Sequence, residues 1–146
     1  MCLFCEFLSG KRKKHTNGFR FKKIHEREHT VSFLSIDFPK TVDGHMLVIP
    51  KKHYEKLEDI PAYILEDLIK HVSLSTKVMD SIFPSCNVLL NNGKEAGQTI
   101  FHVHFHIIPR RDGDGIEIES WGRKDISEEE FLSLFNNLKR AFRKIA

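Results

Sequence analysis

Between Phe101 and Ile107 the chain alternates strictly: Phe101, Val103, Phe105 and Ile107 interleave with His102, His104 and His106. Side chains on a β-strand point alternately to opposite faces, so this stretch as a strand carries one apolar face and one face of imidazoles. The apolar face has to meet a core, and a sheet covered on at least one side follows. Same-face neighbours stand about 7 Å apart, which puts His102 and His106 about 13 Å apart at their backbones. One metal ion cannot take all three; at most an adjacent pair shares one, leaving an imidazole for other chemistry. Imidazole is the side chain suited to act as nucleophile or acid near neutral pH. The competing readings are a metal-only site and a polar sheet face. Three imidazoles in strict alternation favour a reactive row along one open surface of the strand.

The rest of the chain supplies elements to surround that strand. Phe19 to Ile24 alternates as a half-buried strand does. Val31 to Ile36 is a second strand, ended by Asp37-Phe38-Pro39, because proline cannot continue a ladder. Met46 to Ile49, stopped by Pro50, is a third, Asn87 to Leu90 a fourth and Thr99 to Ile108 a fifth. Pro61 opens a helix at its first turn; Ile64, Leu65, Leu68, Val72, Met79 and Ile82 fall on one of its faces, and Pro84 closes it. Ser127 and Glu130 form a capping box for a last helix, with acids at its start and Lys139, Arg140, Arg143 and Lys144 near its end. Phe131, Leu134, Phe135, Leu138, Phe142 and Ile145 are its expected buried stripe. Short connections between strands favour antiparallel pairing and an α+β domain. The 146 residues suit one domain, 1–146, with the motifs in 1–111 and a helical extension over 112–146.

Composition narrows the function classes. No apolar run approaches the roughly 20 residues of a membrane span, and the N-terminus lacks the layout of a signal peptide. A cytoplasmic protein is expected, small enough for nuclear entry. Three cysteines are too few for a disulfide framework; Cys86 is expected as a buried thiol. The net charge of +3, without aromatic and basic residues interleaved on a strand face, gives no specific nucleic-acid role. The basic clusters Lys11 to Lys14, Lys51-Lys52 and Arg110-Arg111 are either solvated loops and strand ends or attractors for a polyanionic small substrate. In the loop before the histidines, Gly93 and Gly97 allow close backbone approach, and amides near Gln98 and Thr99 are able to hold phosphate oxygens. His53 is expected as a surface or supporting group, and His15, His25, His29 and His71 as ordinary surface residues.

Taken together, the segments resemble the histidine triad (HIT) superfamily. Gln98-Thr99-Ile100-Phe101-His102-Val103-His104-Phe105-His106-Ile107-Ile108 is similar to its signature of histidines alternating with hydrophobic residues. Asn91-x-Gly93-x-x-Ala96-Gly97-Gln98 resembles its phosphate loop, Gly44 to His53 its central strand, and Phe33 to Pro39, with Asp37, its ribose-binding segment. Cys2-Leu3-Phe4-Cys5 resembles the start of zinc-containing members. The likeness covers most of Met1 to Arg111. The segment from Lys11 to His29 departs from the family pattern, and the region from Trp121 onward matches no family motif.

The resemblance implies a five-stranded antiparallel sheet with two main helices, joined to a second subunit in a continuous sheet. It implies that His104 attacks the α-phosphorus of a purine nucleotide, forming a nucleotidyl-histidine that water cleaves to a nucleoside monophosphate. His106 would bond a phosphate oxygen, with Gln98 and Thr99 near the phosphate or leaving group and Asn91 and Gly97 in the loop that holds phosphate. Asp37 would take the ribose hydroxyls, and Phe33 and Ile36 would flank the base. Cys2, Cys5, His45 and His102 would bind a structural zinc ion, two thiolates and two imidazoles closing a tetrahedron. For Cys2 and Cys5, a redox pair and unremarkable terminal thiols are the rival readings. The favoured activity is hydrolysis of a phosphoramidate or adenylylated amine. The alternatives are a dinucleoside polyphosphate hydrolase and, in another class, a nucleotide-binding module with little turnover.

Overall fold

The computed structural model describes residues 2–42 and 44–146. Its elements are α1 (Leu3–Leu8), β1 (Lys23–Glu26), β2 (Thr30–Leu34), β3 (Met46–Pro50), α2 (Ala62–Asp80), β4 (Ser85–Leu90), β5 (Phe105–Arg110) and α3 (Glu128–Ile145). The five strands form one antiparallel sheet in the order β1-β2-β3-β5-β4. This is the α+β architecture that the short connections favour. Contacts divide the chain into two compact units, one ending at Ile116 and one running from Glu117 to Ala146.

Both faces of the sheet are covered, by different helices. Met46 and Val48 of β3 and Phe105 and Ile107 of β5 meet Ile64, Leu68, Val72 and Met79 of α2. Val31, Phe33, Leu47 and Ile49 on the opposite face meet Phe4 and Phe7 of α1. A strand buried on both sides needs no polar alternation; all five residues of β3 are buried accordingly. Pro61 supplies the N-cap of α2, as its fixed φ allows.

Several expectations change, first in the sheet. The fifth strand begins at Phe105, not Thr99, so only His106 of the three histidines sits in a ladder. Ahead of it the backbone turns: the His102 amide donates to the Ile100 carbonyl at 2.9 Å and the Val103 amide to Tyr54 at 2.8 Å. Nor is the imidazole face open, since α1 covers it: His102 is 0 % and His104 6 % exposed. Alternation identifies two faces but not what covers them. The first strand is Lys23–Glu26 rather than Phe19 to Ile24. The residues before it fold into a small hairpin closed by a Lys14–Arg20 bridge, leaving Phe19 exposed.

In the C-terminal unit, Ser127 caps α3 as the sequence indicates, accepting from the Glu130 amide at 3.1 Å while Glu130 accepts from the Ser127 amide. The stripe of Phe131, Leu134, Phe135, Leu138, Phe142 and Ile145 is nevertheless exposed. An amphipathic pattern demands a partner surface without supplying one, and this unit contains a single helix. Trp121 is exposed as well.

His71, on α2, is no surface residue: it is 1 % exposed and pinned between Thr30 Oγ1 at 2.9 Å and Ser32 Oγ at 3.1 Å. Thr30 also donates to Asp67, whose carboxylate accepts from Arg27 Nε at 2.7 Å. Burial, with the charges of His25 and Arg27 outweighing Asp67, pushes the His71 pKa down to about 4. The unfolded chain binds a proton there below the ordinary histidine value near 6.5 and the folded chain does not. Stability from this group is therefore intact above pH 6.5 and is lost as pH falls toward 4. Urea midpoints measured across that window should fall with pH, and His71→Gln should flatten the slope by about one proton's worth.

Candidate active site

The hydrogen bonds of the site determine which nitrogen of each imidazole is free. A carbonyl oxygen only accepts, so a ring nitrogen bonded to one carries the proton. His104 Nδ1 donates to the His102 carbonyl at 2.7 Å. Its Nε2 therefore holds the lone pair in the neutral ring. Burial pushes the His104 pKa down, the His102 carbonyl opposing and His45 assisting, and keeps the ring in that form.

The same logic runs through a second pair. His45 Nδ1 donates to the Asp37 carbonyl at 2.6 Å, so its Nε2 accepts from His106 Nδ1 at 2.8 Å. The two rings stack at 5.0 Å. His106 Nε2 is left buried with no partner. Burial first, then the neighbouring His104 and His45, push its pKa down to about 4. An anionic oxygen brought beside this nitrogen opposes both effects and favours its protonation.

His104 and His106 meet at 4.9 Å between ring centroids and line one cavity of about 170 Å³. Of the residues expected there, Asp37, Phe33, Ile36 and Thr99 also line it. Three others do not. Gln98 is buried, with Oε1 accepting from the Gly93 amide at 2.8 Å and Nε2 donating to Glu55 and Ile100 carbonyls. It braces the loop from within. Asn91 lies beneath the same loop against Gly97, whose φ of 93° is left-handed.

A second cluster lies beside the first. Cys2, Cys5, His53 and His102 bring one ligand atom each within 4.8 Å of one another. His102 Nε2 donates to the Pro50 carbonyl at 2.8 Å, so its Nδ1 presents a lone pair to Cys2 Sγ at 3.4 Å and Cys5 Sγ at 3.6 Å. His53 Nδ1 stands 3.5 Å from Cys5 Sγ. Burial, then Cys2, pushes the Cys5 thiol up to about 11. Two thiols and two imidazoles, one with its lone pair already aimed, fit a closed tetrahedral metal site.

This corrects one expected ligand. His45 is not among the thiols; both its nitrogens are engaged by Asp37 and His106. The register explains why. β3 and β5 pair antiparallel with Leu47 opposite His106, so His45 lies at the His106 end of β3 and Pro50 at the His102 end. His53, three residues beyond Pro50, is the histidine within reach. Sequence reasoning overlooked it, although antiparallel pairing of the two predicted strands contained the signal. It also overlooked Phe4 and Phe7, one turn apart on α1, which pack over the imidazoles and the sheet. Phe4 meets His102 and His104 edge-on at 5.7 and 5.4 Å.

An antiparallel sheet carrying tautomer-locked imidazoles into one cavity is the arrangement of a histidine triad protein. The HIT domain family model matches residues 20–113, and the chain belongs to that family. It is 36% identical over 137 residues to an adenosine 5'-monophosphoramidase of Saccharomyces cerevisiae, covering 94% of this chain and 80% of that one. It is also 36% identical over 115 residues to an adenylylsulfatase of Arabidopsis thaliana, covering 77% and 54%. The crystal structure of a histidine triad nucleotide-binding protein from Candida albicans superimposes with a TM-score of 0.81 at 33% identity, covering 100% of both chains.

A side chain at Gly97 would be forced into left-handed backbone and stand 3.6 Å from the Asn91 amide. Gly97→Ala should cost about 1–2 kcal/mol in thermal or urea unfolding.

Proposed function

We propose that this chain hydrolyses a purine nucleotide at its α-phosphorus, with a phosphoramidate or adenylylated amine as substrate. The observation that carries the reading is the pairing, in one cavity, of a lone pair held on His104 Nε2 with an unpartnered buried nitrogen on His106. The printed activities of the yeast and plant relatives support it.

In this mechanism His104 Nε2 attacks phosphorus, forming a P–N bond as the bond to the leaving amine breaks. His106 Nε2, protonated beside the anionic phosphate, gives its proton to the departing nitrogen. Water then attacks phosphorus, its proton passes to His106, and the His104–phosphorus bond breaks to release nucleoside monophosphate. The covalent route divides one difficult displacement into two. Donors near the phosphate, among them the Thr99 hydroxyl, act where charge builds up. Asp37 takes the ribose hydroxyls, and Phe33 and Ile36 flank the base. Gln98, Asn91 and Gly97 act through the shape of the loop. His45 holds the His106 tautomer. No specific observation favours a longer polyphosphate: Arg110 bonds Asp114 and Asn87, and Arg111 bonds the Thr41 carbonyl.

We also read Cys2, Cys5, His53 and His102 as ligands of a structural zinc ion, in a cytoplasmic setting that keeps thiols reduced. Bound there, zinc supplies cross-linking rather than reaction chemistry. The site would tie α1 to the segment after β3 and hold His102, whose carbonyl orients His104. Among the described residues no helix is long and apolar enough to cross a membrane. A second copy is the expected partner, extending the sheet at β4, where Val88 is exposed, as are Val78 of α2 and Ile82 just after it.

Wild type should release nucleoside monophosphate from an adenosine phosphoramidate, and His104→Ala should lose about 10³-fold or more of that rate. Full activity in the variant would sink the mechanism; tight nucleotide binding with no wild-type turnover would favour a binding module. Elemental analysis of protein purified without added zinc should find about one zinc per chain in wild type and in His45→Ala, and far less in His53→Ala. A metal-free, well-folded wild type would remove the zinc assignment.

A further inference from the structure

The cavity that holds His45, His104 and His106 has a fourth histidine in its wall, His15, with no part in the chemistry above. His15 comes from the basic segment that departs from the family pattern. The Lys14–Arg20 bridge closes a hairpin around it. Its amide donates to the Phe19 carbonyl at 2.8 Å, and its carbonyl accepts from the Gly18 amide at 3.0 Å, where a φ of 85° suits glycine. The ring lies tilted against Phe7 at 4.7 Å and against Phe21 at 5.9 Å. Phe7 and Phe21 stack on each other at 4.6 Å, and Phe21 meets Phe33 at 5.0 Å. Phe33 meets Phe4, which touches His104. An aromatic wall thus runs from His104 to His15, and the His15 imidazole packs at its far end.

We propose that His15 hydrogen-bonds the edge of the nucleobase and is the residue that makes the site prefer purines; the inference rests on the nucleotide reading above. Stacking walls such as Phe7 and Phe33 accept any base, because every base has a π-face. Choosing among bases takes a polar group matched to the base edge. Of the other polar side chains that line the cavity, His45 is bonded at both nitrogens, Ser35 Oγ accepts from the Asp37 amide at 3.1 Å, and His104, His106, Asp37 and Thr99 serve phosphate and ribose in the reading above. Thr16, beside His15, offers a hydroxyl, but only the His15 ring packs into the aromatic wall on which a base would lie. His15, Ser35 and Ile36 line both this cavity and a neighbouring groove of about 300 Å³, so His15 stands at the cavity's border with that groove. Burial holds the imidazole below the usual histidine value and so keeps it neutral, with one donor and one acceptor nitrogen. A purine's second ring carries its edge further along the wall than a pyrimidine's, so purines make the bond and pyrimidines fall short.

The test compares AMP, GMP, CMP and UMP binding by calorimetry, with kcat/KM for the matching phosphoramidates. Wild type should favour the purines by about tenfold or more. His15→Phe, which keeps the ring packing on Phe7 and Phe21, should reduce that preference about five- to tenfold. Its kcat at saturation and its affinity for inorganic phosphate should stay unchanged. His15→Asn, a smaller side chain that still donates and accepts, should restore part of the preference. An undiminished purine preference in His15→Phe overturns the inference, as does the absence of any preference in wild type. A His15-dependent preference in binding without turnover would uphold the inference and sink only the hydrolase reading. Failure of wild type to bind any of the four would sink both.

Discussion

The site depends on the antiparallel pairing of β3 with β5. That register sets Leu47 opposite His106, so the two ends of β3 serve two different clusters. At one end His45 reaches His106 and fixes its tautomer through a chain that starts at the Asp37 carbonyl. At the other the Pro50 carbonyl takes the Nε2 proton of His102 and turns its Nδ1 toward the thiols. A slip of one residue would exchange the faces of every side chain on the strand and dissolve both arrangements. The apolar residues that β3 buries on both sides are what make such a slip costly.

Much of this was legible in the sequence. The continuous apolar run Met46 to Ile49, the helical spacing from Ile64 to Met79 and the Ser127–Glu130 box all appear where their patterns indicate. That one ion cannot take all three histidines was legible too, because His102 and His106 stand about 13 Å apart on a strand; giving the metal to His102 and leaving His104 free came only with the family resemblance. What was not legible is whatever depends on a second segment. Alternation separated the imidazole face from the apolar face, yet α1 buries the first as α2 buries the second, and nothing in residues 101–107 announces α1. The amphipathic α3 shows the same gap in reverse, since its stripe has no surface to meet within its own unit.

His45 and His53 show the difference between spacing and register. Both histidines flank the same strand, one residue before it and three after it. Local sequence treats them alike; only the direction in which β5 runs past β3 decides which meets His106 and which meets the cysteines. His15 escaped notice for a related reason. It sits in a polar, basic loop, where solvent exposure is the ordinary expectation, and only the hairpin closed by Lys14 and Arg20 turns it inward onto Phe7.

The burial of the imidazoles has a structural source that links the two clusters. An isolated helix of six residues such as α1 is far too short to persist in water. It is held because Phe4 and Phe7 are buried and because Cys2 and Cys5 flank Phe4 beside His102 and His53. Phe4 in turn packs on both His102 and His104. The helix therefore closes the cavity and screens His104 from water, which depresses its pKa and leaves its Nε2 unprotonated. Whatever loosens the thiol cluster loosens that cover first. The reactivity of His104 is thus coupled to residues that never meet the cavity's contents, through one aromatic side chain and one backbone carbonyl.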